Sequence, residues 1–197
     1  MTPYLQTYSG LNLHVTEPEP EQICIEDIAR GLSRACRFNG QAHDFYSVAQ
    51  HCVLAFRWAE MTEELDIYHK QVPDILLQIL LHDAAEAYLG DVPTPLKIHL
   101  PHFCQIEEKL LQTIFKKYDL PTAFHPIVYE VDTRMLFTEK RDLMNHQKDW
   151  KTPIKEPYTY PIIPWSENRA YIEFMTAFHI ATILKEASDA FYTSQAE

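Results

Sequence analysis

Apolar residues recur at spacings of three and four along most of this chain, the pattern of helices that bury one face. In CIEDIARGLSRAC, residues Ile25, Ile28, Ala29 and Leu32 share a stripe. RFNGQAHDF breaks it, and YSVAQHCVLAFRWAEM resumes it with Val48, Cys52, Ala55 and Ala59 on one side. Pro73 opens a third helix, DILLQILLHDAAEAY, closed by Gly90, and Pro93 and Pro95 keep the following segment from continuing it. FCQIEEKLLQTIFKKY is strongly amphipathic, with Ile106, Leu110, Ile114 and Phe115 apolar. A further helix runs from about Pro126 into EKRDLMNHQ, and Ser166 caps a last one, ENRAYIEFMTAFHIATILKEA. Its aromatic stripe, Tyr171, Phe174 and Phe178, reads as core. Between these two helices lies KDWKTPIKEPYTYPIIPW, with four prolines and no helical period; loops of that length are functional or mobile. Upstream, QTYSGLNLHV suits a short hairpin turning at Ser9-Gly10, EPEPEQ is a connector, and the tail SDAFYTSQAE is expected to fray. The pattern predicts an all-α bundle of six or seven helices. It forms a single domain over residues 1–197, with a core at about 22–147, a Pro-rich loop at 148–165 and a C-terminal helix at 166–187.

One place does not fit a simple core helix. In LLHDAAEAYLGDVPTPLK a leucine run leads directly into His82 and Asp83, and Glu86 follows one turn later. On a continuous helix these three fall within an arc of about 100° and can face one point in space. Burying them without partners is costly, so the sequence asks for something that binds them. An imidazole beside a carboxylate is a good pair of metal ligands. Two more candidates sit alone among apolar neighbours, His51 in SVAQHCVLAF and Asp132 in IVYEVDTRMLF. Each by itself is more often a hydrogen-bonded core residue than a ligand. The four together, in the order His, His-Asp, Asp, point to one divalent ion, with Co, Zn, Mn and Mg all compatible.

Composition narrows the function. Four glycines, with no GxGxxG and no GxxxxGK[ST], leave Rossmann and P-loop nucleotide binding without support. A net charge of −11 with no basic block argues against nucleic acid as a partner. A small anionic substrate is still compatible, because a few cations and a metal make a local positive site. Cys24, Cys36, Cys52 and Cys104 form no C-x-x-C pair and read as reduced thiols. No apolar run approaches the roughly 18 residues of a membrane span. With no basic-then-apolar leader, the expectation is a cytoplasmic protein with no membrane partner.

The pattern H … HD … D on an all-α chain resembles the HD-domain metal-dependent phosphohydrolases. HDAAEAYLGDVPTPLK is similar to a segment of the bacterial 5′-deoxynucleotidases. CRFNG … FYSVAQH, VDTRMLFTEKRDLM and PWSENRAYIEFMTAFH resemble a phage and prophage branch that includes dATP triphosphohydrolases. The resemblance implies His51, His82, Asp83 and Asp132 as metal ligands and Glu86 as the acid that orients or activates the attacking water. It implies Asp91 near the sugar or water, Arg37 on the substrate phosphate, where its planar guanidinium suits a bidentate contact, and Thr94 and Lys97 along the phosphate path. Phe38 stands where the nucleotidases carry a tryptophan against the sugar, and Gln41 where many relatives carry histidine. His43, between Arg37 and His51, is the other histidine to watch. The bland alternatives are a surface pair of Arg37 with Asp44 or Asp27 and a solvated Lys97.

The implied reaction is hydrolysis of a deoxynucleotide 5′ phosphate ester, first of all dATP to deoxyadenosine plus triphosphate, with dADP and dAMP plausible. The alternatives are a 5′-deoxynucleotidase acting on monophosphates, a cyclic-nucleotide diesterase, and a non-catalytic nucleotide sensor. The triphosphate version needs positive charge beyond the first phosphate, and Lys97, Lys109, Lys116, Lys117, Lys148, Lys151 and Lys155 are the places to look. The resemblance further implies a homo-oligomer, with helices at 103–118 and 167–187 as interfaces, in a bacterial cell or a phage-infected host.

Overall fold

A computed structural model of the chain describes residues 3–61, 71–145, 150 and 155–195. Among these are six helices of ten residues or more: α1 (Ile25–Arg34), α2 (Val48–Glu60), α3 (Val72–Leu81), α6 (Pro101–Lys117), α7 (Pro126–Leu143) and α8 (Glu167–Ser194). Two single turns, α4 (Glu86–Leu89) and α5 (Thr94–Lys97), lie between α3 and α6. The all-α bundle of six or seven helices is thus borne out. The N-terminal hairpin also forms, with Leu5–Gln6 (β1) antiparallel to Asn12–Leu13 (β2). Asp27, buried in α1, holds its tip by accepting from the Ser9 amide and hydroxyl, each at 2.7 Å.

The bundle is arranged around two helices that are buried on nearly every side. α3 exposes only Asp74 to any extent, and α2 buries everything from Val48 to Val53. A helix enclosed all round carries apolar residues on all faces, so the stripe Val48, Cys52, Ala55 and Ala59 marks only part of the buried surface of α2. α2 packs against α1, α3, α7 and α8, and α8 lies across α1, α2 and α3. Ser47 starts α2 by accepting from the Gln50 amide, and Ser166 does the same for α8 from Arg169. Phe174 and Phe178 are core, as expected, and Tyr171 lies under the Arg30 guanidinium.

Two boundaries differ from the sequence pattern. The third helix is not continuous through Glu86. α3 stops at Leu81, and residues 82–85 turn through i to i+3 hydrogen bonds, Ala84 N–H to Leu81 O at 2.9 Å and Glu86 N–H to Asp83 O at 2.9 Å. The tighter bonds wind the chain more steeply there, between the end of α3 and the start of α4. α4 then presses on α1 at Gly31. A Cβ on that glycine would lie 2.4 Å from the Ala87 carbonyl oxygen, which only a bare backbone permits. At the other end of the chain, α8 continues past residue 187 to Ser194.

Residues 155–165 of the Pro-rich loop are irregular but held. Tyr158, Ile162 and Trp165 are buried. The Tyr158 amide donates to Thr138 Oγ1 at 2.9 Å, the Ile162 amide to Asp142 Oδ2 at 2.8 Å, and the Trp165 amide to Gln50 Oε1 at 2.8 Å. Arg141 donates to the Tyr158 carbonyl at 2.6 Å. No helix among the described residues is long and apolar enough to cross a membrane.

Candidate metal centre

Three elements of the core meet at one point. α2 brings His51 from its fully buried midsection, the turn after α3 brings His82 and Asp83, and α7 brings Asp132. The His51 and His82 Nε2 atoms lie 3.1 Å apart. His51 Nε2 is 3.2 Å from Asp132 Oδ1 and 3.7 Å from Asp83 Oδ2, and His82 Nε2 is 3.3 Å from Asp83 Oδ2. His51, His82 and Asp83 each offer a ligand atom within 4.8 Å of the others.

The outer nitrogens of both rings are engaged. His82 Nδ1 donates to the Ile79 carbonyl at 2.7 Å. His51 Nδ1 lies 2.6 Å from Glu139 Oε1, whose side chain has no exposed surface. With Nδ1–H given outward, each ring in its neutral form presents an Nε2 lone pair inward, where a cation could take it. The local charge agrees. Asp83, Asp132 and Glu139 face the buried guanidinium of Arg37, and the negative charge it leaves falls to the two imidazoles or to a cation. Burial opposes ionisation of Asp83, but His82 and Arg37 hold its carboxyl well below the usual range. Asp132 is likewise depressed by His51 and His82, and Glu139 by Arg37 and His51. Burial pushes the two imidazoles toward neutrality, yet the carboxylates outweigh it, Asp83 and Asp132 for His82, Glu139 and Asp132 for His51, and raise both. The donor set of His51, His82 and Asp83 could therefore hold a divalent cation, with Asp132 beside it.

A cavity of about 510 Å³ opens beside this centre. Its lining includes the polar His82, Asp83, Glu86 and Lys97 and the apolar or aromatic Leu111, Phe115, Phe124 and Tyr129. Glu86 is 5% exposed and its Oε2 has no hydrogen-bond partner. Burial first, then Asp83 and Asp91, push its pKa up to about 9. Lys97 is not a solvated lysine. It bridges Glu86 Oε1 at 3.2 Å and Glu107 Oε1 at 2.8 Å, and these carboxylates raise its pKa against the effect of burial. Gln78, buried in α3, braces part of the apolar lining. It donates to the Pro121 and Ala123 carbonyls and accepts from the His125 amide, which fixes the loop carrying Phe124.

Behind Asp83 the chain makes a left-handed turn. Phe38 and Asn39 have φ of 55° and 52°, a conformation unfavourable for phenylalanine. The turn puts Arg37 between Asp83 Oδ2 and Glu139 Oε2, each at 3.1 Å. Arg37 thus pairs with neither Asp44 nor Asp27. Each of its terminal nitrogens gives one of its two N–H groups to a carboxylate, and its buried Nε is without a partner. Asp91 reaches back to this turn, where the Phe38 amide lowers its pKa, while burial dominates and raises it. The Phe38 ring lies 6.1 Å from Trp150.

The structure brings together His51, His82, Asp83, Asp132 and Glu86, with Lys97 at the cavity edge and Arg37, Phe38 and Asp91 behind. Thr94 and His43 are exposed and line no part of the cavity. Of the lysines that could meet extended phosphates, Lys109 pairs with Glu17 and Lys155 with Glu130, while Lys148 and Lys151 lie outside the described residues. Two residues were not readable as part of the site. Glu139 could have been found two turns after Asp132 on the same face of α7; Gln78 left only the sign of an amide inside an apolar run.

No family model matches the chain. It is 35% identical over 188 residues to the uncharacterized protein YfdR of Escherichia coli (strain K12), a match that covers 94% of this chain and 99% of the relative. An uncharacterized protein of Rhodobacter capsulatus is 38% identical over 122 residues, 58% of each chain. At that identity and nearly complete coverage, the chain belongs to the family of YfdR.

Proposed function

We propose that this protein is a metal-dependent phosphohydrolase that cleaves the 5′ phosphate ester of a deoxynucleotide. The observation that carries the reading is the pair of imidazoles, with Asp83 and Asp132 beside them, next to a cavity lined by His82, Asp83, Glu86 and Lys97. His51, His82, Asp83 and Asp132 would hold a divalent ion, which supplies Lewis acidity at phosphate oxygens and lowers the pKa of a water. Glu139 orients His51, and Arg37 balances the charge of Asp83 and Glu139 from behind. Glu86 turns a buried, unpartnered Oε2 toward the reacting group, where it can take or deliver a proton. Lys97 places its ammonium beside the phosphate, and the apolar lining at Phe124 and Tyr129 suits a nucleobase. The reaction belongs in the cytoplasm of a bacterial cell or a phage-infected host.

The resemblance to the phage branch favours dATP, split to deoxyadenosine and triphosphate. One observation favours the monophosphate as a second reading: the cavity is lined by Glu86, Glu107 and Glu108, and its lysine is already held by two carboxylates. Purified protein with Mn²⁺ or Co²⁺, given dATP or dAMP, decides between them by chromatography of the products. Deoxyadenosine and triphosphate from dATP, lost in Asp83→Ala, is the expected result. Turnover of dAMP alone would establish the nucleotidase, and no release from either, with metal bound, would leave a nucleotide sensor or a diesterase.

A further inference from the structure

Among the described residues, Lys97 is the only lysine or arginine that lines the cavity. It stands on α5, a single turn, and residues 94–96 and 98–100 on either side of it are all exposed. With so little packed around the turn, two carboxylates hold the ammonium in place, Glu86 at 3.2 Å and Glu107 at 2.8 Å.

The two partners differ. Glu86 is 5% exposed and is taken up by the proposed chemistry. Glu107 is neither a candidate metal ligand nor the acid of the reaction. It is the nearer partner, and at 18% exposure the more open one. It sits on α6, a helix of 17 residues whose Leu110 and Ile114 are core. Its place is therefore fixed by the bundle, whereas that of Lys97 is fixed by its partners. Glu108 lines the same cavity but takes no part in this contact; its Oε1 accepts from Gln112 Nε2 at 3.2 Å.

An ammonium has three N–H donors, and Lys97 gives two of them to these carboxylates. A phosphate oxygen on the third would lie beside the Glu107 carboxylate, and two anions on one cation repel. A phosphate gains the full attraction of Lys97 only by turning Glu107 away.

We infer that Glu107 is an internal competitor of the substrate: it occupies Lys97 in the place of a phosphate and so sets how tightly phosphate is held. The inference rests on the proposed reading in that it places a phosphate beside Lys97. The same contact acts after cleavage, when Glu107 retakes the ammonium and the phosphate product leaves. A mere brace of the same geometry predicts the opposite sign, since without Glu107 the ammonium would lose its post and phosphate would bind less well.

Calorimetric titration of inorganic phosphate into the full chain tests it. Glu107→Gln, with Glu107→Ala as a second variant, should tighten phosphate about 5–10-fold. Glu108→Gln removes the same charge from the same cavity without touching Lys97, and should change the affinity less than about twofold. Lys97→Met should weaken binding, and adding Glu107→Gln to it should restore nothing, which places the effect on that one contact. Weaker or unchanged binding in both Glu107 variants would overturn the inference, as would an equal gain in Glu108→Gln or a gain that survives Lys97→Met. No phosphate binding by any variant would overturn it too. The series is run with Mn²⁺ and without it and needs no turnover, so a chain that hydrolyses no nucleotide would sink the proposed reaction and leave this result readable.

Discussion

Glu139 stands in TEKRDLM beside basic residues, where a surface glutamate would be unremarked, yet it is fully buried between His51 and Arg37. Removing its charge while keeping its shape isolates that role. Glu139→Gln is expected to keep the helical fold but lower affinity for Mn²⁺ or Co²⁺ about 10–100-fold, as measured by calorimetric titration. Unchanged affinity would mean that His51 needs no carboxylate behind it. Glu86 supports a different measurement. Its folded pKa is pushed up to about 9, whereas an unfolded glutamate releases its proton near 4.5. Between those values the folded chain holds a proton that the unfolded chain has lost, so the metal-free protein loses stability as pH rises from about 4.5 toward 9. Glu86→Gln removes that slope. It should melt above the wild type by at least about 4 °C at pH 8, with no gap at pH 4, and should lose turnover throughout. Equal melting at pH 8 would contradict the burial of the acid.

The helices show why some of this was legible and some was not. Ile28, Ala29 and Leu32, or Leu110 and Ile114, each mark a helix whose other face is wet, and periodicity finds such elements readily. His51 and Asp132 stood out because each is a ligand-type side chain among apolar neighbours. Gln78 is a polar residue in the same kind of setting, but it satisfies loop carbonyls, and composition alone cannot tell the two uses apart. The break after Leu81 was hidden for another reason: over four residues, a pattern of 3.6 and one of 3.0 per turn place His82, Asp83 and Glu86 on almost the same side. Gly31 gave no sign of its use until α4 was seen against it. Gly31→Ala would force the Ala87 backbone away, at a cost of about 1–3 kcal/mol. A thermal melt should fall by several degrees, and because α4 begins at Glu86, turnover should drop more than stability alone explains. A variant with wild-type melting and turnover would mean that the two helices separate freely.

At the scale of the whole molecule, the strap over residues 155–165 is anchored at two telling positions. Gln50, which grips it at Trp165 and Ile163, immediately precedes His51; Thr138, which grips it at Tyr158, immediately precedes Glu139. One residue on a helix turns the side chain by about 100°, so α2 and α7 each face outward to the strap and inward to the centre with consecutive residues. The strap therefore works as a gauge block. It sets the spacing of the two helices from the outer side, and the 2.6 Å contact of His51 with Glu139 is the dimension it preserves. A change of side chain in the strap would retune the grip on a cation from a distance, leaving every ligand in place.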